Sequence, residues 1–219
     1  MTDKVFISDF DGTMTGNEFY KLAASHLLPT NALDPWRAYL EGRVTHFAAL
    51  QTIFAHISAP EHKILELLGA MDPDPDLAGS VERLRSAGWD VVVASAGCEW
   101  YIQRILAMAG TELTVHANPG EYMPGGPLRM QAPEDSPFYS LETGVDKAAV
   151  VRFHQQRATA VAFAGDGFTD LPAALLVRPA LRFAHGDLAH ALDRRDERYR
   201  PFAVWTDVVN TLLDPGEGP

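Results

Sequence analysis

Asp9 and Asp11 stand two residues apart in ISDFDGTMTGNE, residues 7–18, directly after a short apolar run and directly before a glycine and a threonine. In an extended strand alternate side chains share a face, so this spacing brings two carboxylates together. Such a pair repels itself unless a cation, or a proton held by one member, offsets it. The arrangement asks for a metal, a proton-transfer role, or both. Similar material recurs further on: Ser95 with Ala96 and Gly97 after VVVA, Lys147 in GVDKAAVV, and Asp166 and Asp170 in GDGFTD. A hard, oxygen-rich set of this kind suits Mg2+, which takes one or two carboxylates and uses substrate phosphate as a further ligand. Structural zinc is a poor match, because no cysteines or histidines fall at ligand spacing. A hydroxyl, an amine and the backbone N–H groups of small-residue turns bind phosphate oxygens. Phosphoryl transfer with a carboxylate nucleophile fits the set best.

These residues work together only if the fold collects them. Val5 to Ile7 forms a short buried strand, and Asp9, Asp11 and Thr13 lie at its end. EFYKLAASHLL, DPWRAYLEGR, VTHFAALQTIFAHIS and APEHKILELLGAM follow with apolar residues at three- and four-residue spacing, which predicts a run of helices. DPDPD at 72–76 interrupts the pattern and serves as a return linker. Helix and strand then alternate: LAGSVERLRSAG, WDVVVAS, CEWYIQRILAMAG, LTVHA, GVDKAAVVRFHQQ, TAVAFAG, TDLPAALLV and ALRFA. That alternation predicts a parallel sheet with crossover helices. The proline- and glycine-rich stretch 118–143 is an irregular loop or hairpin, and the tail DPGEGP is expected to fray. Ligands of an open parallel sheet bind beyond the carboxyl ends of its strands, and every residue singled out above falls there or at a following helix start.

Composition narrows the function classes. A net charge of −11 and the absence of a basic stripe argue against a nucleic-acid surface. No stretch approaches the roughly 18 to 20 apolar residues of a membrane span. The N-terminus shows no apolar signal core, and a single cysteine, Cys98, suits a reducing cytoplasm. A chain of 219 residues has room for one core domain and a sizeable insertion.

DFDGT, Ser95 after VVVA, Lys147 and GDGFTD together resemble the four ordered motifs of the haloacid dehalogenase-like phosphohydrolase superfamily, over about residues 4–175. The resemblance implies an α/β fold: a Rossmann-like three-layer parallel sheet built from 1–15 and 73–219, with a helical cap inserted at 16–72. It implies Asp9 as nucleophile, Asp11 as acid and base, and Ser95 and Lys147 as phosphoryl holders, with Thr13, Ala96 and Gly97 beside them. Mg2+ would lie on Asp9, Asp166 and the backbone carbonyl of Asp11, with Asp170 in support. Within the superfamily the chain is similar to phosphoserine phosphatases and to the methionine-salvage phosphatase acting on 2-hydroxy-3-keto-5-methylthiopentenyl-1-phosphate. Glu18 falls where the former carry a substrate-binding glutamate. Gln51 stands where their cap arginine is expected, and Arg43 is the cation within a few residues of it.

The expected partner is therefore a small phosphorylated metabolite, with no nucleic acid or membrane and an oligomeric state left open. A phosphotransferase or mutase of the same superfamily shares every motif. A receiver-like or non-catalytic phosphate-binding module is the alternative from another class. Trp36, Phe47, Phe54, Trp100 and Tyr101 most simply pack helices, His46 and His56 suit surface positions or substrate contacts, and Cys98 is expected to be inert.

Overall fold

The structure, a computed structural model, describes residues 3–29, 31 and 33–214. The chain begins with β1 (Lys4–Ser8), then runs through α1 (Phe19–His26), α2 (Asp34–Leu40), α3 (His46–Ala55) and α4 (Glu61–Gly69). α5 (Leu77–Ser86), β2 (Trp89–Cys98), α6 (Glu99–Met108) and β3 (Thr114–Asn118) follow. The antiparallel pairs β4 (Gly120–Tyr122) with β5 (Leu128–Met130), and β6 (Tyr139–Ser140) with β7 (Gly144–Val145), fill the stretch expected to be irregular and run past it, so the helix expected from Gly144 starts only at Lys147. The rest is α7 (Lys147–Gln155), β8 (Ala160–Gly165), a 3-10 turn at Phe168–Asp170 leading into α8 (Leu171–Ala174), β9 (Arg182–Ala184), α9 (Gly186–Asp193), β10 (Arg200–Pro201) and α10 (Trp205–Leu213).

Six strands form one sheet in the order β10-β9-β8-β1-β2-β3, and each neighbouring pair is parallel. Strand alternation sorts the core into two layers. Phe6, Val91 and Val93 face a cluster with α1, α3, α4, α5, α6 and α10, while Val5, Ile7, Val92 and Ala94 face α7, α8 and α9. The sheet is thus covered on both sides, as parallel sheets require. Its order also aligns the three chemistry-bearing strands: Ser8 pairs with Val93 of β2 and Ala164 of β8, so the residues just beyond them emerge side by side.

Two further features depart from the sequence expectation. The TDLPAALLV helix shortens to a 3-10 turn and one α-turn, with Pro172 inside it. The chain also continues beyond β9 with structure that carries part of the core. Trp205 stacks on Phe6 at 5.6 Å and donates its indole N–H to Ser8 Oγ at 3.0 Å. The frayed tail expected at 214–219 falls outside the described residues except for Asp214.

Helices α1 to α4 leave and rejoin the sheet at one place. Thr15 and Pro73 pair in an isolated antiparallel bridge, and Asp74 in DPDPD is buried, accepting from the Thr206 N–H at 2.8 Å and hydroxyl at 2.6 Å. On the far side α3 is fastened to the hairpin region: Phe47 N–H donates to Glu142 O at 2.9 Å and Gln51 Nε2 to Met130 O at 2.9 Å.

Candidate active site

β1 ends at Ser8, yet the Asp9 N–H still donates to Ala164 O at 2.9 Å, which holds Asp9 level with the end of β8. Asp9 Oδ1 accepts from the Phe10 N–H at 2.7 Å, and Oδ2 lies 2.8 Å from Lys147 Nζ. Lys147 is the first residue of α7, fixed there by its neighbour Asp146, whose side chain caps the helix through the Ala149 N–H. The same ammonium donates to Asp170 Oδ1 at 2.6 Å. Asp170 Oδ2 in turn accepts from the N–H groups of Asp166 and Gly167 at 3.0 and 2.9 Å, shaping the turn that presents Asp166. Thr13 donates to Asp166 Oδ1 at 2.9 Å. Gly12, at φ +72°, lies against Asp166 where a Cβ would collide with its carboxylate.

Asp9, Asp166 and Asp170 each bring an oxygen within 4.8 Å of the others. The three carboxylates cluster with one ammonium, which pairs with Asp9 and Asp170, so the group carries two excess negative charges when fully ionised. Burial, then the Asp170 charge, push Asp9 well above the usual carboxylate range against the pull of Lys147. Burial and Asp170 likewise push Asp166 up to about 7, against the Thr13 hydrogen bond. Burial works against the Lys147 ammonium, but Asp170 and Asp9 more than reverse it and hold the amine above its usual range. A divalent cation fits this site, since it cancels the excess charge with an all-oxygen donor set of the kind Mg2+ prefers.

Asp11 does not share this cluster. The strand has ended before it, so alternation no longer governs its direction, and the expected pairing with Asp9 gives way to separate partners. Its Oδ1 accepts from the Phe19 N–H at the start of α1 at 2.9 Å, and its Oδ2 from the Tyr101 hydroxyl of α6 at 2.6 Å. Burial raises Asp11 to about 6, with those two hydrogen bonds opposing the rise. Gly97 makes the contact possible, because a Cβ there would overlap the Tyr101 hydroxyl. Ser95 Oγ accepts from the Gly97 N–H at 3.0 Å, and Asn118 Nδ2 ties down the Ala96 carbonyl at 2.7 Å.

Asp9, Asp11, Glu18, Ser95, Ala96, Gly97, Lys147 and Asp166 all line one cavity of about 420 Å³. Thr13 and Asp170 stand behind it as supports. Gln51 and Arg43 are not brought to it: Gln51 is spent on the Met130 carbonyl, and Arg43 is exposed and paired with Glu41. Glu18 is ion-paired with Lys21. The outer wall is made by Tyr20, Trp36, Tyr39, His46, Leu50 and Phe54, all from α1 to α3. Tyr101, Trp36 and Phe54 pack on neighbouring rings as expected and also line the site, and His46 is buried in its wall while His56 stays exposed. Apolar periodicity marks these residues as inward-facing but does not distinguish a ring facing a neighbour from one facing a cavity. Cys98 is buried at the end of β2, where burial raises its thiol to about 12.

The family model described as haloacid dehalogenase-like hydrolase matches residues 6–175. No curated protein sequence matches the chain significantly. Among solved structures, the chain is similar to a HAD family hydrolase, t0658, from Salmonella enterica serovar Typhi at 15% identity and a TM-score of 0.69, covering 92% of this chain and 67% of that one. It is similar to a phosphoserine phosphatase described as a phospho-aspartyl intermediate analogue, at 15% identity and a TM-score of 0.67, covering 96% and 99% of the two chains. A phosphoserine phosphatase from T. onnurineus matches at 18% identity and a TM-score of 0.65, covering 97% and 96%. At these identities the likeness is one of fold.

Proposed function

The chain belongs to the haloacid dehalogenase-like hydrolases, and on that footing we propose that it is a Mg2+-dependent phosphomonoesterase that hydrolyses a small phosphorylated metabolite through a phosphoryl group carried on Asp9. The observation that carries this reading is the division of labour between two carboxylates lining one cavity. Asp9 is locked to Lys147, while Asp11 is held apart by its own two donors at a pKa near neutrality.

Asp9 attacks phosphorus, and the bond from phosphorus to the ester oxygen breaks. Asp11 gives its proton to the departing oxygen, a role suited to a carboxyl raised to about 6. Water then attacks the phosphorus of the aspartyl-phosphate, Asp11 takes back a proton, and Asp9 and phosphate are released. Lys147, Ser95 and the backbone of Ala96 and Gly97 near the end of β2 hold the phosphoryl oxygens. Asp9, Asp166 and the backbone carbonyl of Asp11 would hold Mg2+, with Asp170 positioning Asp166 rather than binding directly. When bound, Mg2+ offsets the excess negative charge and that of the phosphoryl group.

Residues 16–72 act as a cap and 1–15 with 73–219 as the core. The wall contributed by α1 to α3 supports this division, since those helices line the same cavity as the carboxylates at the sheet edge. The buried, unpaired thiol of Cys98 supports a cytoplasmic setting; among the described residues no helix is long and apolar enough to cross a membrane. The test is phosphate release from an aryl phosphate by the wild type and by Asp9→Asn, each with Mg2+ and with chelator. Activity that requires both Mg2+ and Asp9 upholds the mechanism. Activity indifferent to both rules it out.

A further inference from the structure

The part of the cavity lined by α1 to α3 is mostly aromatic and aliphatic, with Lys21 of α1 its charged member. Trp36 stacks on Tyr20 with ring centroids 4.2 Å apart, and Tyr39 and His46 meet Trp36 at 5.1 and 5.3 Å, so four rings brace one another. Leu50 and Phe54 complete the wall, and Leu40 and Phe168 stand exposed at the rim. Rings held in this way present flat faces at little entropic cost.

The charges lining the cavity point the same way. Its two ammonium groups are both engaged, Lys147 with Asp9 and Asp170, and Lys21 with Glu18. Among the described residues no arginine lines it, and burial lowers His46 to about 4, so that ring is neutral near pH 7. Arg43, the cation the sequence offers for a substrate carboxylate, does not reach the cavity, and neither does Gln51, which stands where the cap arginine is expected. An alcohol bearing a carboxylate, such as serine, would therefore lose water without gaining a partner. A cationic alcohol gains little more: Glu18 is already paired with Lys21, Asp187 is exposed to water, where an ion pair is worth little, and Lys21 Nζ already lies over the Tyr20 ring, 5.7 Å from its centroid. The polar atom that the wall leaves buried without a partner is His46 Nδ1, on an uncharged ring.

We infer that the substrates are phosphomonoesters of neutral alcohols carrying a ring, with the ring seated against Trp36 and Tyr39. This rests on the phosphomonoesterase reading above and specifies its leaving group. It separates the chain from the serine phosphate that its structural neighbours are named for.

The test compares kcat/KM for four phosphates of primary alcohols, so that leaving-group chemistry is comparable: 2-phenylethyl phosphate, ethyl phosphate, O-phosphoserine and phosphocholine. Burying a ring rather than a methyl in an apolar pocket is expected to favour 2-phenylethyl phosphate about tenfold or more over each of the others. Trp36→Ala should collapse that ratio to within about threefold, and Trp36→Phe, which keeps a ring and controls for folding, should retain most of it. Equal or better turnover of phosphoserine or phosphocholine overturns the inference and leaves the phosphatase reading intact. A preference for the ring that survives Trp36→Ala overturns the assigned seat. Failure to turn over all four, and a simple aryl phosphate as well, overturns the phosphatase reading and this inference with it.

Discussion

The hydroxyl of Tyr101 lies 2.6 Å from Asp11 Oδ2, and Gly97 provides the space in which they meet. A hydrogen bond to a carboxylate stabilises its charged form and fixes its direction. Tyr101 is therefore a positioning residue for the proposed acid. Tyr101→Phe keeps the ring and removes the donor, and it should lower kcat about tenfold on an alkyl phosphate. The loss should shrink on an aryl phosphate, whose leaving oxygen needs less protonation. Gly97→Ala should reproduce this pattern by displacing the hydroxyl, and the double variant should be no worse than the more impaired single one. Equal losses on good and poor leaving groups would point to simple structural damage.

Lys147 is the ammonium that the buried carboxylates of Asp9 and Asp170 share, with its own side chain only 3% exposed. Removing one partner of a buried ion pair leaves uncompensated charge and costs about 3–5 kcal/mol. Lys147→Met should show that loss in urea unfolding with chelator present, together with a loss of activity of at least about a hundredfold. Lys147→Arg should fail to restore activity, because a planar guanidinium does not fit where a compact ammonium touches Asp9 and Asp170. A Lys147→Met protein as stable as the wild type would mean that the cluster stays neutral through proton uptake.

The excess charge also makes metal affinity depend on pH. Asp166, raised by burial to about 7, keeps a proton in the folded state that the unfolded chain has released by about pH 4. In chelator, its contribution to stability is therefore present at low pH and is lost as pH rises from about 4 through 7. Mg2+ must displace that proton, so it binds more tightly across the same window. Magnesium at about a hundred times its dissociation constant should add about 2.7 kcal/mol of stability. At a fixed concentration, the rise in Tm should be larger at pH 8 than at pH 5. An equal rise at both values would place the metal away from Asp166.

How far the sequence foretold this site depends on what each residue's position depends on. Asp9, Ser95 and Asp166 were legible because parallel strands of fixed register deliver the residues at their carboxyl ends to one edge: DFDGT and GDGFTD start where β1 and β8 end, and Ser95 lies near the end of β2. Lys147 was legible by resemblance, and its cap Asp146 is a local signal. Residues placed by the rotation of one helix against another were not. Gln51 is turned to the hairpin carbonyl of Met130, and Trp36 and His46 face the cavity, yet all lie on helices whose spacing reports only burial. Asp11 parts from Asp9 because the strand stops at Ser8, a boundary that an apolar run does not fix. α9 and α10 went unread because α9 follows directly on β9 and the short β10 gives little alternation to separate them.

His46 gives the last prediction, since its neutrality has a cost that can be titrated. Its ring is 8% exposed, burial lowers it to about 4, and Lys147 adds to the lowering against Asp170. The unfolded histidine titrates near 6.5, so between about pH 6.5 and 4 the unfolded chain binds a proton that the folded protein excludes. That stability is complete above about pH 6.5 and is lost as pH falls through this window, by at most about 3 kcal/mol. His46→Phe keeps a ring between Trp36 and Tyr39 but has nothing to protonate. With chelator present, the variant should gain on the wild type as pH falls, so urea unfolding at pH 7.5 and 4.5 should show the gap moving in the variant's favour. The carboxylates of the metal cluster titrate in both proteins and cancel in the difference. A gap that stays constant with pH would mean that the ring is reached by solvent and protonates freely, and the wall it belongs to would then be open rather than closed around a neutral body.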